Sequence, residues 1–227
     1  MKIYKHYSFD LWMTLIKSNP TFKTERAKFF YKNFNTAKKS IEEVISIFRQ
    51  VDLMCNSINE KTGNNIDADE MYLMVIGVMN DFKVTFTDIN LKWLYNEMEL
   101  LLFKHLPSVY CDKTFSSLDR LKQKSSSSFS ISSNTAFIKG KTLRKVLSHL
   151  DLSPFFDFQL YSDEVSISKP DRRFFDLMLE TIRNIDSNKN ISLREIIHIG
   201  DNPKADIAGA LSVGIDSVQI NSNNSTI

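Results

Sequence analysis

The spacing of apolar positions divides the chain into three stretches of different texture. The first covers residues 1–16. Its run from Ile3 to Phe9 predicts a buried strand that ends in a tight polar turn at Asp10. From about 17 to 110 apolar side chains recur at helical spacing. Ile41, Val44, Ile45, Phe48 and Cys55 share a face, and Ser40 with Glu43 forms a capping box ahead of them. Asp67 and Glu70 repeat that signal before Met71, Val75, Val78, Met79 and Phe82. Thr87 is expected to cap a further helix carrying Leu91, Leu94, Tyr95, Met98 and Leu102, which Pro107 stops. Helices with one apolar face each, joined by short polar links, predict a small bundle.

From about 111 onward strands and helices alternate. Strands are expected at Phe129–Ser132, Phe158–Tyr161, Ile196–Ile199 and Val218–Ile220, with helices near 115–124, 140–150, 172–185 and 203–213. The serine run Ser125–Ser128 reads as a solvated loop. Such alternation argues for an α/β fold with a parallel sheet covered on both faces. In those sheets, polar residues just past the carboxyl ends of the strands meet in one crevice.

Four strand ends carry conspicuous polar groups: Asp10, Ser133 with Asn134, Lys169 and Asp201. Neighbouring strands would bring two carboxylates, a hydroxyl and an ammonium together. Two acids at close range repel unless a cation separates them, and oxygen ligands of this type suit Mg²⁺. A metal and a lysine beside one carboxylate neutralise an anionic substrate such as a phosphate. The carboxylate is then able to attack as a nucleophile and carry the transferred group covalently.

Composition narrows the field further. An apolar fraction of 42% and a charged fraction of 25% are ordinary for a globular protein. The net charge of +2, with basic residues interleaved among acids, gives no footprint for a nucleic acid or an acidic membrane. Cys55 and Cys111 lie far apart, form no metal-type pair, and fit a reducing compartment. Met1–Ile16 lacks the uninterrupted apolar core of a signal peptide, and no stretch has the apolar length of a membrane span, so the expected location is cytoplasmic. His6, His105, His149 and His198 do not form a metal set; His6 and His198 are expected to be structural imidazoles.

With these residues in hand, the chain resembles the haloacid dehalogenase (HAD) superfamily, whose four motifs are matched in order. FDLWMTL (Phe9–Leu15) resembles the first, SISSNT (Ser130–Thr135) the second, FFDFQLYSDEVSISKPDRRFF (Phe155–Phe175) the third and IIHIGDNPKADIAGALSVG (Ile196–Gly214) the fourth. The resemblance implies a Rossmann-like α/β core built from residues 1–16 and 111–227, with an all-helical cap domain, 17–110, inserted between the first two motifs. It further implies Asp10 as nucleophile, with Thr14, Ser133 and Lys169 beside it. Ser133, Asn134 and Lys169 would bind the transferred group. Asp10, the carbonyl of Trp12, Asp201 and Asp206 would form the site of a Mg²⁺ cofactor. The implied activity is a hydrolase, a phosphatase acting on a small phosphorylated metabolite. Nothing in the sequence fixes the oligomeric state.

One position departs from the pattern. The family's phosphatases carry a second aspartate two residues after the nucleophile, as general acid and base. This chain has Trp12 there, and Met13 where glycine is usual. An indole N–H does not titrate, so that role is lost. Glu25 and Asp52 are candidate substitutes from the cap, and Arg26, near the hinge, is a candidate anion-binding residue. Two further readings follow. One is a metal-independent dehalogenase-like hydrolase, since halide needs no protonation. The other is a catalytically weakened phosphate-binding protein. The cluster Phe29, Phe30, Tyr31 and Phe34 reads as cap core in preference to a wall over the substrate.

Overall fold

A computed structural model describes residues 3–124 and 127–220. A five-stranded parallel sheet has the order β5-β4-β1-β6-β7, formed by β1 (His6–Phe9), β4 (Ser128–Ser133), β5 (Phe158–Tyr161), β6 (Ile196–Gly200) and β7 (Asp216–Gln219). Between β1 and β4 the chain forms β2 (Ile16–Lys17), α1 (Pro20–Phe34), α2 (Ile41–Thr62), α3 (Ala68–Met79), α4 (Leu91–Lys104), β3 (Ser108–Val109) and α5 (Thr114–Lys124). The remaining helices are α6 (Gly140–His149), α7 (Ser162–Val165), α8 (Arg172–Arg183) and α9 (Gly209–Ser212), the last preceded by a π-helical turn, Pro203–Ala208.

The sheet is buried on both faces. On one side Tyr7, Phe9, Phe129 and Ile131 meet Leu143, Val146 and Leu147 of α6 and Leu118 of α5. On the other, Ile196 packs with Phe174, Phe175, Met178 and Ile182 of α8 and Ala210 of α9. Fully buried strands of parallel sheets are usually continuous apolar runs, yet β1 and β4 alternate serine and histidine with aromatics. Cross-strand hydrogen bonds explain this. His6 lies within 2.7 and 2.9 Å of the Ser128 and Ser130 hydroxyls through its two ring nitrogens, and Asn188 Nδ2 donates to Ser128. Burial drives the His6 pKa down to about 3, so the ring is neutral.

Helices α1–α4 enclose a separate apolar cluster in which Phe30, Phe48, Val51, Tyr72, Val75, Ile76, Leu94 and Met98 are buried. The capping boxes at Ser40/Glu43 and Asp67/Glu70 are formed as expected. Phe30 lies in this cluster, and Phe29 and Phe34 pack on it and on Trp93. The helical layer rests on the sheet domain through polar seams. Asn65 N–H donates to the Ser166 carbonyl, Ser162 Oγ donates to Asn65 Oδ1, and Ser168 N–H donates to the Gly63 carbonyl. Lys139 pairs with Asp67 and Asp69, and Glu60 pairs with Lys204.

Several sequence expectations need correction. Thr87 does not cap α4; Asn90 does, its side chain accepting from Trp93 N–H. The loop expected at Ser125–Ser128 is shorter, because Ser128 opens β4 and is buried with Ser127; Ser125 and Ser126 lie outside the described residues. β1 starts at His6, three positions after the expected Ile3, which is exposed. β7 spans Asp216–Gln219, earlier than expected. The periodicity also hid α1, which opens with Asn19 as cap and Pro20 in its first turn, and the ribbon in which Ile16–Lys17 pairs with Ser108–Val109. Among the described residues no helix is long and apolar enough to cross a membrane.

Candidate active site

Parallel pairing sets the height of every functional group. Phe9 is level with Ile131 of β4 and Ile199 of β6, and the Asp10 N–H extends the ladder by one bond to the Ile199 carbonyl, 2.8 Å away. Asp10 therefore leaves the sheet at its carboxyl edge, beside Ser133 at the end of β4 and Asp201 just past β6.

Lys169 comes from the loop between α7 and α8 and is buried, with 1% of its surface exposed. Its Nζ donates to Asp10 Oδ1 (2.9 Å), Asp206 Oδ1 (2.6 Å) and the Ser132 carbonyl (2.6 Å). Ser133 Oγ donates to the same Asp10 oxygen at 2.9 Å. Asp10 Oδ2 thus has no protein hydrogen bond among the described residues. Asn134 fixes Lys169 through two backbone bonds, Nδ2 to the Lys169 carbonyl (2.9 Å) and Lys169 N–H to Oδ1 (2.8 Å). In this arrangement the Asn134 amide holds the Lys169 backbone in place.

Asp206 is aimed by the π-helical turn, whose amides at Lys204 and Ala205 donate to the capping side chain of Asn202. Asn202 N–H donates to Asp206 Oδ2 at 2.9 Å, and His198 Nε2 lies 3.2 Å from Oδ1. Gly200 is required here, because a Cβ at that position would come within 2.3 Å of the Asp206 carboxylate. Asp10, Asp201 and Asp206 present oxygen atoms within 4.8 Å of one another.

The electrostatics follow from this crowding. Burial, with Asp206 and Asp201 adding, raises the Asp10 pKa to about 6 against the pull of Lys169. Burial disfavours the Lys169 charge as well, but Asp10 and Asp206 outweigh it and raise its pKa. Asp206 is likewise penalised by burial, yet Lys169 and His198 hold it below the usual carboxylate range. Burial lowers the His198 pKa. Three acids thus crowd around the Lys169 ammonium. A hard divalent cation with oxygen ligands fits this donor set, since it removes the residual repulsion.

Other expected residues are placed differently. Thr14 is buried after Asp10, but its Oγ1 has no hydrogen-bond partner among the described residues and no bond joins it to Asp10. Trp12 is partly buried, its indole packed on the apolar cluster of the sheet. Glu25 is paired with Lys28 and Asp52 with Arg49, each with an i,i+3 partner on its own helix. Among the described residues neither acid is hydrogen-bonded to Asp10, Lys169 or Asp206. Sequence reasoning missed His198 as a contact of Asp206. The one available signal was its parity with Gly200 on β6, and polar residues at such positions usually serve packing.

The comparisons with known proteins bear on the fold and the family. The family model described as haloacid dehalogenase-like hydrolase matches residues 8–220. A pyrimidine 5'-nucleotidase, YjjG, from Escherichia coli (strain K12) is 29% identical over 77 residues, 34% of this chain and 32% of its own length. The matched segment is therefore about a third of that relative. Among solved structures, the HAD-hydrolase YfnB from Bacillus subtilis bound to magnesium aligns with a TM-score of 0.73 at 18% identity, covering 100% of this chain and 92% of that one. A HAD phosphatase from Thermococcus onnurineus aligns with a TM-score of 0.66 at 20% identity, covering 98% and 89%. These likenesses establish the fold, and the model match over nearly the whole length establishes the kinship: the chain belongs to the haloacid dehalogenase-like hydrolases.

Proposed function

We propose that this hydrolase is a magnesium-dependent phosphatase that acts on a small phosphorylated metabolite through a covalent Asp10 intermediate. The observation that carries the reading is the grouping of three carboxylates within 4.8 Å around one buried lysine. Asp10, Asp201 and the main-chain carbonyl of Trp12 would hold Mg²⁺, with Asp206 aligning the shell from behind. When bound, the ion neutralises phosphoryl charge as a Lewis acid. YjjG's description as a pyrimidine 5'-nucleotidase is in keeping with a small phosphate ester as substrate.

The chain's own groups divide the work. Lys169 and Ser133 fix one Asp10 oxygen, which leaves Oδ2 to attack phosphorus as the ester P–O bond breaks. The departing alcohol takes its proton from water or from the substrate, because Trp12 has none to give. Water then cleaves the aspartyl phosphate to release inorganic phosphate and restore Asp10. Helices of the 17–110 segment act as the cap that excludes bulk water during attack. The working compartment in this reading is the cytoplasm.

Hydrolysis of p-nitrophenyl phosphate with and without Mg²⁺, alongside Asp10→Asn, tests the assignment. Steady, metal-dependent turnover that vanishes in the variant supports it. Asp201→Ala should weaken Mg²⁺ binding sharply by calorimetry; unchanged affinity would overturn the metal site. Trp12 favours one second reading, displacement of halide from carbon, in which no leaving-group proton is needed. Chelator-resistant release of halide from a 2-haloacid would favour that chemistry.

A further inference from the structure

The helical layer reaches the sheet edge through the turn that follows α2. Gly63, at φ +73°, ends the helix, and the Ile66 N–H donates to Asn59 Oδ1 at 3.0 Å, which folds the turn back on itself. Asn64 forms an isolated antiparallel bridge with Ile167, and the Ser168 N–H donates to the Gly63 carbonyl at 2.9 Å. Lys169 follows directly in the chain.

Asn65 adds side-chain bonds to this contact. Its Oδ1 accepts from Ser162 Oγ at 2.7 Å and, more weakly, from Ser168 Oγ at 3.4 Å. Both serines are fully buried. Ser162 Oγ in turn accepts from the Thr135 N–H at 2.8 Å and lies 3.1 Å from Thr135 Oγ1. A hydroxyl has one proton, and Ser162 gives its own to Asn65, so Thr135 Oγ1 donates to Ser162. Donation therefore runs one way, from Thr135 through Ser162 to Asn65. Thr135 stands two residues past Ser133 and next to Asn134, whose amide holds the Lys169 backbone. One acceptor atom of the helical layer thus ends the hydrogen-bond paths from both the Ser133 loop and the Lys169 loop. Fully paired buried networks fix geometry, and removing an acceptor leaves buried donors unsatisfied. Ser133 and Lys169 are the two side chains that hold Asp10 Oδ1.

We propose that Asn65 is a positioning residue that locks these two loops together and so aligns Ser133 and Lys169 on Asp10. The effect on turnover rests on the phosphatase reading of the Asp10 site, whereas the effect on the loops does not. A residue that only seats the helices would loosen the seam without freeing the Lys169 amide, which is bonded to Asn134.

Amide hydrogen exchange by NMR and steady-state hydrolysis of p-nitrophenyl phosphate compare the natural protein with Asn65→Ala and Asn65→Asp. In Asn65→Ala the amides of Thr135 and Lys169 should exchange at least about tenfold faster, while those of Tyr7 and Ile197 keep their natural rates. kcat should fall by about tenfold to 100-fold through misalignment. Mg²⁺ affinity by calorimetry should stay within about threefold, because Asp201 and Asp206 stand on another loop. Asn65→Asp keeps an acceptor for both serine hydroxyls and should hold kcat and exchange within about threefold of natural. If Asn65→Ala does not fold, Ser162→Ala breaks the same link from the other side and should give the same pattern. Natural exchange at Lys169 in the folded variant overturns the proposal, as does a loss of kcat that Asn65→Asp does not rescue. Absence of turnover in the natural protein strikes the phosphatase reading alone, and the exchange rates then decide this inference.

Discussion

Replacing Trp12 by aspartate should return the missing acid–base group. The indole is partly buried on the sheet's apolar cluster. About two-thirds or more of a tryptophan's surface, roughly 150–200 Å², is therefore at stake, worth about 4–5 kcal/mol. For a chain of this size that corresponds to a melting point lower by about 8–20 °C. The new carboxylate also joins the acids around Asp10, so the variant should depend on Mg²⁺ more steeply than the natural protein. Against this loss stands the catalytic gain. A positioned general acid–base contributes about 10²–10⁴ in rate, or roughly 3–5 kcal/mol of barrier. The assay is steady-state hydrolysis of glycerol 2-phosphate and p-nitrophenyl phosphate at saturating Mg²⁺. The alkyl ester, whose leaving group needs a proton, should accelerate by at least about 100-fold, and the nitrophenyl ester by less. A folded Trp12→Asp protein with natural Mg²⁺ affinity and an unchanged rate on the alkyl ester refutes the idea that position 12 faces the departing oxygen.

Lys169→Met leaves Asp10 and Asp206 buried without their ammonium and should destabilise the fold by about 3–5 kcal/mol in chemical denaturation, with Mg²⁺ restoring part of the loss. His6 gives an acid signature. Its folded pKa, about 3, lies below the ordinary 6.5, so as the pH falls below 6.5 the unfolded chain takes up a proton that the native state refuses. Stability should fall by about 1.4 kcal/mol per pH unit through that window, and His6→Gln should flatten the slope in urea melts between pH 7 and pH 4. Gly63→Ala should cost more than about 1 kcal/mol, since an L-residue is strained in the left-handed region. Gly63 sits at φ +73° and its added Cβ would come within 2.0 Å of Asp171 Oδ2. The same substitution pushes on the segment carrying Lys169, so KM for p-nitrophenyl phosphate should rise with the loss in melting temperature.

The strand ends were legible because chemistry and periodicity coincide there. Asp10, Ser133 and Asp201 each stand at a strand end, where parallel pairing leaves them one edge on which to meet, and Lys169 joins them from the loop between α7 and α8. The two capping boxes were equally readable, being local hydrogen-bond patterns written within four residues. What the chain concealed is long-range pairing. The polar residues His6, Ser8, Ser128 and Ser130 interrupt the apolar pattern of central strands, and only their partners across the sheet make them tolerable. The fastening of Asn134 to the Lys169 backbone was hidden in the same way, because it depends on a loop distant in sequence. For Glu25 and Asp52 the same limit holds: sequence gives a charge without giving its direction.

The short ribbon of β2 and β3 has a consequence for how such a chain is assembled. Lys17 and Ser108 face each other across an antiparallel pair, so the helical segment leaves and re-enters the sheet domain at neighbouring rungs. In topology the four helices α1–α4 are an extended hairpin loop, and the parallel sheet does not depend on their length to bring its strands into register. A two-residue turn joining the ribbon strands would close the same hairpin. Lengthening or exchanging the loop therefore leaves the strand register intact, while it remakes the seams at Ser168 and Lys204 and the surface that Phe137 meets. The pairing of the five sheet strands is thus set apart from the helices, and only the seams carry a change in one to the other.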